Sequence, residues 1–311
     1  MITREEVEAA AARIEGHIRR TPVMRPETGA LGLGADLTLK LELFQHTGSF
    51  KPRGTFNRLL LAEIPEAGVI TASGGNHGQA LAHAARVLGI RAEIFVPAGS
   101  PPLKAERIRA QGAEVTVTGE YYDDAMEACL VRSAETGALL IHPYDHPHTV
   151  AGAATLGMEL MGQAPDLDTV LVAAGGGGLA AGTAVWYQGD RRVVIVEPES
   201  CASWASARAA GKPVDVEVGG IAADSLGARR IGGVPFEAAN RFVEDCVLVS
   251  DEAILRAQWL LWDGLRILAE PGGAASLAAL VSGAYVPEDG ERVGFIVCGG
   301  NTGELPAAPS H

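Results

Sequence analysis

Short apolar runs alternate with longer amphipathic ones along almost the whole chain. Near the start, Thr3 and Glu6 have the spacing of a capping box, and Val7, Ala10, Ala11, Ile14 and Ile18 share one helical face. DLTLKLEL then alternates apolar and polar residues, the pattern of a half-buried strand. GVITAS, AEIFVP, AEVTVTG, ALLIHP, DTVLVAAG, RRVVIVEP, FVEDCVLVS and ERVGFIVCGG predict further strands. RGTFNRLLLAE, NHGQALAHAARVLG, PPLKAERIRAQG, YYDDAMEACLVRSAETG and DEAILRAQWLLWDGL predict helices. Strands that are apolar almost throughout, separated by helices, imply parallel sheets covered on both faces, an α/β architecture. The chain has no internal repeat, and the tail GELPAAPSH is expected to fray.

With 311 residues, 47% of them hydrophobic, the chain can bury a large core divided between two lobes. A net charge of −13 disfavours nucleic acid and anionic membrane surfaces, which would repel it. Cys129, Cys201, Cys246 and Cys298 are far apart and form no C-x-x-C pair, the usage of a reducing compartment. The N-terminus lacks the basic-then-apolar order of a signal peptide, and no apolar run approaches the ~18 residues of a membrane span. A cytoplasmic protein is the expectation.

Lysine is scarce: four stand against 21 arginines. Lys104 and Lys212 lie in polar surroundings and read as solvated charges. Lys51, in QHTGSFKPRG, is pinned between Phe50 and Pro52 at the start of a helix. Desolvation and the positive end of the helix both lower an amine's pKa there and favour the neutral nucleophile that forms imines. A solvated lysine at a helix start is the plainer alternative.

In TVLVAAGGGGLAAGTAVW, a strand leads through Gly175, Gly176, Gly177 and Gly178 into a helix, a junction whose free N–H groups suit a phosphate. Gly176, Gly178 and Ala181 also fit G-x-G-x-x-A, with Glu197 about twenty residues on. A nicotinamide-dependent dehydrogenase is therefore open on this segment alone. TASGGNHGQALAHAAR places Ser73, Asn76 and His77 at another strand-to-helix turn. His142, His146 and His148 cluster without further ligands at metal spacing and read as loop residues.

LELFQHTGSFKPRGT, SGGNHGQALAHAA, AAGGGGLAAG, EPGGAASLAAL and VCGGN resemble, in order and spacing, segments of the fold-type-II pyridoxal phosphate enzymes, a tryptophan synthase beta-like two-domain α/β fold. The likeness is to the serine/threonine dehydratases and serine racemase, and spans about Thr21 to Asn301. It implies pyridoxal 5′-phosphate as cofactor, linked as an imine to Lys51, with Phe50, Asn76, Gly175, Gly176, Gly177, Gly178, Leu179, Glu270 and Cys298 around it. Asn76 would bond the ring hydroxyl, Gly175 to Leu179 the phosphate, and a neutral Cys298 would face the ring nitrogen. Ser73, Gly74, Gly75 and His77 would lie along the substrate carboxylate. The implied activity is β-elimination from L-threonine or L-serine to a 2-oxo acid and ammonia, in a homodimer. Lyases acting on 3-hydroxyaspartate or phenylserine, a serine racemase and a cysteine synthase-like replacement are alternatives.

Three departures narrow this expectation. Gly74 stands where racemase-like members carry a second serine, which disfavours racemisation. Cation-binding members pair a glutamate with an aspartate six residues later, whereas Glu197 is followed by Ser203, so no metal is expected. A regulatory domain like that of biosynthetic threonine deaminases, with feedback by isoleucine, is not expected. The expected division is residues 1–58 with 145–311 as the large lobe and 59–144 as the small one. GGIAADSLGARRIG is expected to border the mouth of the site.

Overall fold

The computed structural model describes residues 2–100 and 102–308. Pro101, in one predicted helix, and the last three residues of the predicted frayed tail lie outside them.

Two sheets organise the chain. The larger consists of β1 (Val23–Met24), β2 (Asp36–Lys40), β7 (Thr169–Ala173), β8 (Arg192–Pro198), β9 (Asp245–Val249) and β10 (Arg292–Ile296) in the order β1-β2-β10-β7-β8-β9. All its pairings are parallel except β1 with β2. The smaller is wholly parallel, with β3 (Val69–Ala72), β4 (Ala92–Val96), β5 (Glu114–Val117) and β6 (Leu139–Leu140) in the order β5-β4-β3-β6. Every residue of β3, β4 and β7 is buried, as strands covered on both faces must be.

The helices run α1 (Arg4–Ile14), α2 (Lys51–Leu60), α3 (Asn76–Leu88), α4 (Pro102–Ala110), α5 (Tyr122–Thr136) and α6 (Pro147–Gln163) in the first half. In the second half come α7 (Gly178–Tyr187), α8 (Ser203–Ala210), α9 (Ala223–Leu226), α10 (Gly233–Ala239), α11 (Asp251–Leu265) and α12 (Pro271–Ser282). Helix α1 begins at the expected capping box, both of whose hydrogen bonds are made. Ile14 of α1 and Phe56 and Leu59 of α2 pack into the core of the smaller sheet with Val69, Leu81, Ile94 and Ile108.

Helix α6 corrects the reading of His146 and His148 as loop residues. His146 is its N-cap, with Nδ1 accepting from the His148 amide at 3.1 Å. Thr149 to Gly157 are buried without interruption, so this helix has no polar face for a periodicity to reveal. It is clamped between the two helices that carry the candidate chemistry. A Cβ on Gly54 of α2 would stand 2.6 Å from the Thr149 carbonyl, and one on Gly152 would stand 2.5 Å from the Arg53 carbonyl. On its other side, a Cβ on Gly182 of α7 would stand 2.6 Å from the Ala154 nitrogen. Glycine at these crossings lets three backbones touch, which sets the spacing between Lys51 and the four-glycine loop.

A buried ionic cluster fastens α2 and α6 to the end of β2. Arg53 grips Glu42 through two hydrogen bonds of 2.6 and 2.8 Å and reaches Glu159 at 2.9 Å, while Lys40 meets Glu159 at 2.5 Å. Burial pushes the Glu42 carboxyl up, but Arg53 more than offsets this and holds it below its ordinary value. Removing Arg53 leaves the Glu42 carboxylate buried without a hydrogen-bonded cation. Arg53→Met should therefore lower the unfolding free energy by about 3–5 kcal/mol in urea denaturation. A loss below ~1 kcal/mol would show that the cluster does not fasten these helices.

Candidate active site

One cavity lies where four helices begin. It is lined by Phe50 and Lys51 at the start of α2, Asn76 at the start of α3, Gly178 and Leu179 at the start of α7, and Glu270 at the N-cap of α12. Ala173 to Gly177, Tyr144, Ser225, Leu226 and Cys298 complete the wall. No side chain caps the starts of α2, α3 or α7, so their free N–H groups and partial positive charge face this space, whereas at α12 the Gly272 amide is taken by the Ser225 hydroxyl.

Lys51 is half-buried, its Nζ 5.2 Å from the centre of the Phe50 ring and 6.0 Å from that of Tyr144. Its one hydrogen-bond acceptor is the Pro143 carbonyl at 3.3 Å. Desolvation lowers the amine to about 8, although Cys298 and Glu270 pull the other way. Burial likewise pushes the Glu270 carboxyl up to about 7, where Asn76 donates to it at 2.6 Å. Burial also raises the Cys298 thiol far enough to stay protonated, and it donates to the Gly272 carbonyl at 3.4 Å.

The glycine loop is shaped by its neighbours. A Cβ on Gly175 would stand 2.6 Å from the Leu226 carbonyl, one on Gly176 would enter the Tyr144 ring, and one on Gly177 would stand 2.8 Å from Ile231. Gly177 also has φ +87°, which side chains rarely adopt. These glycines thus serve tight packing as well as exposing N–H groups to the cavity.

The expected cofactor set of Phe50, Lys51, Asn76, Gly175 to Leu179, Glu270 and Cys298 is brought together in one wall. Ser73, Gly74 and Gly75 lie in the turn leading to Asn76, half-buried, and do not line the cavity itself. The His77 ring is buried and turned to the Ile141 carbonyl at 3.0 Å, and desolvation lowers it to about 3. It is therefore neutral, and what His77 can offer an anion is its backbone N–H at the start of α3. Glu197 is fully buried and accepts hydrogen bonds from the backbone of Trp204 at 2.7 Å and of Ala205 at 2.9 Å, with the Ser203 hydroxyl at 3.3 Å. It caps α8 and cannot reach a ribose, which removes the basis of the dehydrogenase reading. Lys104, expected to be solvated, pairs with Asp224.

Residue-by-residue reading missed Tyr144, Ser225 and Leu226. The last two belong to GGIAADSLGARRIG, whose position at the mouth was legible. There the Ser225 hydroxyl accepts from the Gly272 amide at 3.0 Å. Nothing in the local sequence singles out Tyr144, whose ring stands over Gly176 and whose hydroxyl donates to the Arg230 carbonyl at 3.1 Å.

Removing the amine tests its environment. The parent apoprotein holds a cation near pH 7 in a site that disfavours it, so Lys51→Met should be the more stable form. An amine whose folded pKa lies below its unfolded value loses that handicap as pH rises from about 8 toward 10.5. The stability gap between variant and parent, measured by urea denaturation, should narrow across that window. A gap independent of pH would refute the lowered amine.

Residues 14–299 match the model of a family described as pyridoxal-phosphate dependent enzyme. The chain is 34% identical over 306 residues to the L-threonine ammonia-lyase of Thermotoga maritima, covering 97% of this chain and 76% of that one. A threonine deaminase of T.th. superposes with a TM-score of 0.91 at 35% identity, covering 98% of this chain and 100% of the other. Maize serine racemase does so with a TM-score of 0.91 at 32% identity, covering 97% and 94%. No helix among the described residues is long and apolar enough to cross a membrane. With its parallel sheets, its lysine at a helix start and its uncapped glycine loop, the chain belongs to the pyridoxal-phosphate dependent enzyme family, and its cofactor is pyridoxal 5′-phosphate.

Proposed function

We propose that the protein removes the β-hydroxyl and amino groups of L-threonine or L-serine, giving 2-oxobutanoate or pyruvate and ammonia. The observation that carries this reading is the Lys51 amine, lowered to about 8 and set in one cavity with the glycine loop, Asn76 and a protonated Cys298. L-threonine ammonia-lyase relatives over almost the whole chain supply the substrate class.

The residues present fit the cofactor. Gly175 to Leu179 would hold its phosphate on the free N–H groups of α7, because any side chain at Gly175 or Gly176 would collide with Leu226 or Tyr144. Lys51 would hold its aldehyde, Phe50 would pack beside it, Asn76 and Glu270 would meet its ring oxygen, and Cys298 its ring nitrogen. When bound, the cofactor supplies an electron-accepting ring that stabilises negative charge at the substrate Cα. Lys51 Nζ, when not holding the aldehyde, would take the α-proton as general base, a role that an amine near 8 suits at neutral pH. Cys298 would place a neutral thiol rather than a carboxylate against the ring nitrogen, which would favour prompt loss of the hydroxyl over storage of charge in the ring. Ser73, Gly74, Gly75 and the His77 N–H would seat the substrate carboxylate at the uncapped start of α3.

The same reading makes residues 1–58 with 145–311 one lobe and 59–144 the other, supported by the two sheets. Ile14 and Phe56 of the first bridge them by packing into the smaller sheet's core. A cytoplasmic homodimer belongs to the proposal; four unpaired cysteines suit the compartment.

A second reading, racemisation, has the maize enzyme's likeness behind it. Against it, Gly74 has no side chain to carry a proton, and a Cβ there would already meet Val96 at 3.1 Å and Ser100 Oγ at 3.3 Å.

Borohydride reduction of the holoenzyme should label Lys51, and a label on another residue sinks the site assignment. Lys51→Ala should lower ammonia release from L-threonine and L-serine by about 10²–10⁴-fold or more. A panel including 3-hydroxyaspartate, phenylserine and L-serine, with chiral analysis for D-serine, separates the readings. D-serine formed faster than pyruvate overturns elimination as the main activity.

A further inference from the structure

The Asn76 amide is held from two sides. Asn301 Nδ2 donates to Asn76 Oδ1 at 2.7 Å and to the Thr47 carbonyl at 2.7 Å. Asn76 Nδ2 donates to Glu270 Oε1 at 2.6 Å. The direction of this chain is set at its Thr47 end. A backbone carbonyl only accepts, so the Asn301 nitrogen must face it. Both hydrogens of that nitrogen are then used, one on Thr47 and one on Asn76, so Asn76 must turn its oxygen to Asn301 and its nitrogen to Glu270. One Asn76 N–H remains, on a side chain that lines the cavity.

Glu270 alone would not impose this order. Burial pushes its carboxyl up to about 7, and a protonated carboxyl can donate as well as accept. Asn301 has no such ambiguity. Room for it is made by Gly48 at φ +73°, where a Cβ would stand 2.8 Å from Asn301 Oδ1.

We propose that Asn301 is a positioning residue that fixes the Asn76 amide and so directs its free N–H at the ring oxygen of the bound cofactor. This rests on the reading that Asn76 faces that oxygen. Asn301 acts through Asn76 and makes no cofactor contact of its own.

The test compares parent holoenzyme with Asn76→Ala, Asn301→Ala, Asn301→Asp and the Asn76→Ala/Asn301→Ala double variant. Two readouts are taken: the visible absorption maximum of the bound cofactor, and its dissociation constant from fluorescence titration of the apoprotein. Asn301→Ala should weaken cofactor binding roughly tenfold, the scale of a lost hydrogen bond to a polar group, and move the absorption band in the same direction as Asn76→Ala. The double variant should match Asn76→Ala within about twofold, since a residue acting only through Asn76 has nothing left to position. Asn301→Asp keeps the side-chain shape but cannot donate, and should reproduce the loss if the alanine variant does not fold. The proposal is overturned if Asn76→Ala changes both readouts while both Asn301 variants keep parent values, or if the two alanine effects multiply. If Asn76→Ala itself leaves both readouts at parent values, the underlying reading of Asn76 falls and this one with it.

Discussion

Three helices that begin without side-chain caps around one cavity, α2, α3 and α7, form the constraint on which the rest of the site depends. Each start leaves backbone N–H groups unpaired, and their partial positive charges face the same space. A cation in such a place is disfavoured and an anion is welcomed. The arrangement suits α7 to a phosphate, while burial in the same wall lowers the Lys51 amine to about 8. Burial in the same wall also raises the Glu270 carboxyl to about 7, with Asn76 donating to it.

The glycines that expose these N–H groups do so because protein, not ligand, crowds their other side. Gly175 is pressed by Leu226 and Gly176 by Tyr144, so the loop is held flat against the 225–235 segment and the residues before α6. Gly273 meets Gly299 in the same way, bringing the start of α12 against the end of β10 and setting Glu270 beside Cys298. Packing and ligand binding, rival explanations of a glycine run, here describe two faces of one loop. A side chain at Gly176 would displace Tyr144 before it touched any phosphate.

The sequence was most legible where chemistry is local. Lys51, the glycine loop and the strand alternation can be read because each depends on neighbours within about ten residues. All ten strands fall in or beside predicted apolar runs except the two-residue β1. What escaped depends on distant contacts. Helix α6 carries no polar stripe because α2 and α7 cover it from both sides, so its periodicity was invisible. Tyr144 matters only because the chain folds its ring over Gly176, and Asn301 because Gly48 and Thr47 lie beside it. Glu197 illustrates the opposite error: the right spacing after a glycine loop, with a carboxylate already consumed in capping α8.

The net charge of −13 makes this near-field arrangement necessary. Pyridoxal phosphate is an anion and, on the proposed reading, an amino-acid substrate brings a further carboxylate. A chain with this much excess negative charge cannot draw either in through its overall field. That field is screened beyond about 8 Å at physiological ionic strength. Attraction must then come from groups in contact with the ligand, and backbone N–H dipoles supply it without adding a mobile cation. A positively charged Lys51 would attract the phosphate more strongly but could not attack an aldehyde. Uncapped helix starts attract the anion while desolvation favours the neutral amine, which makes binding and nucleophilicity compatible in one small space.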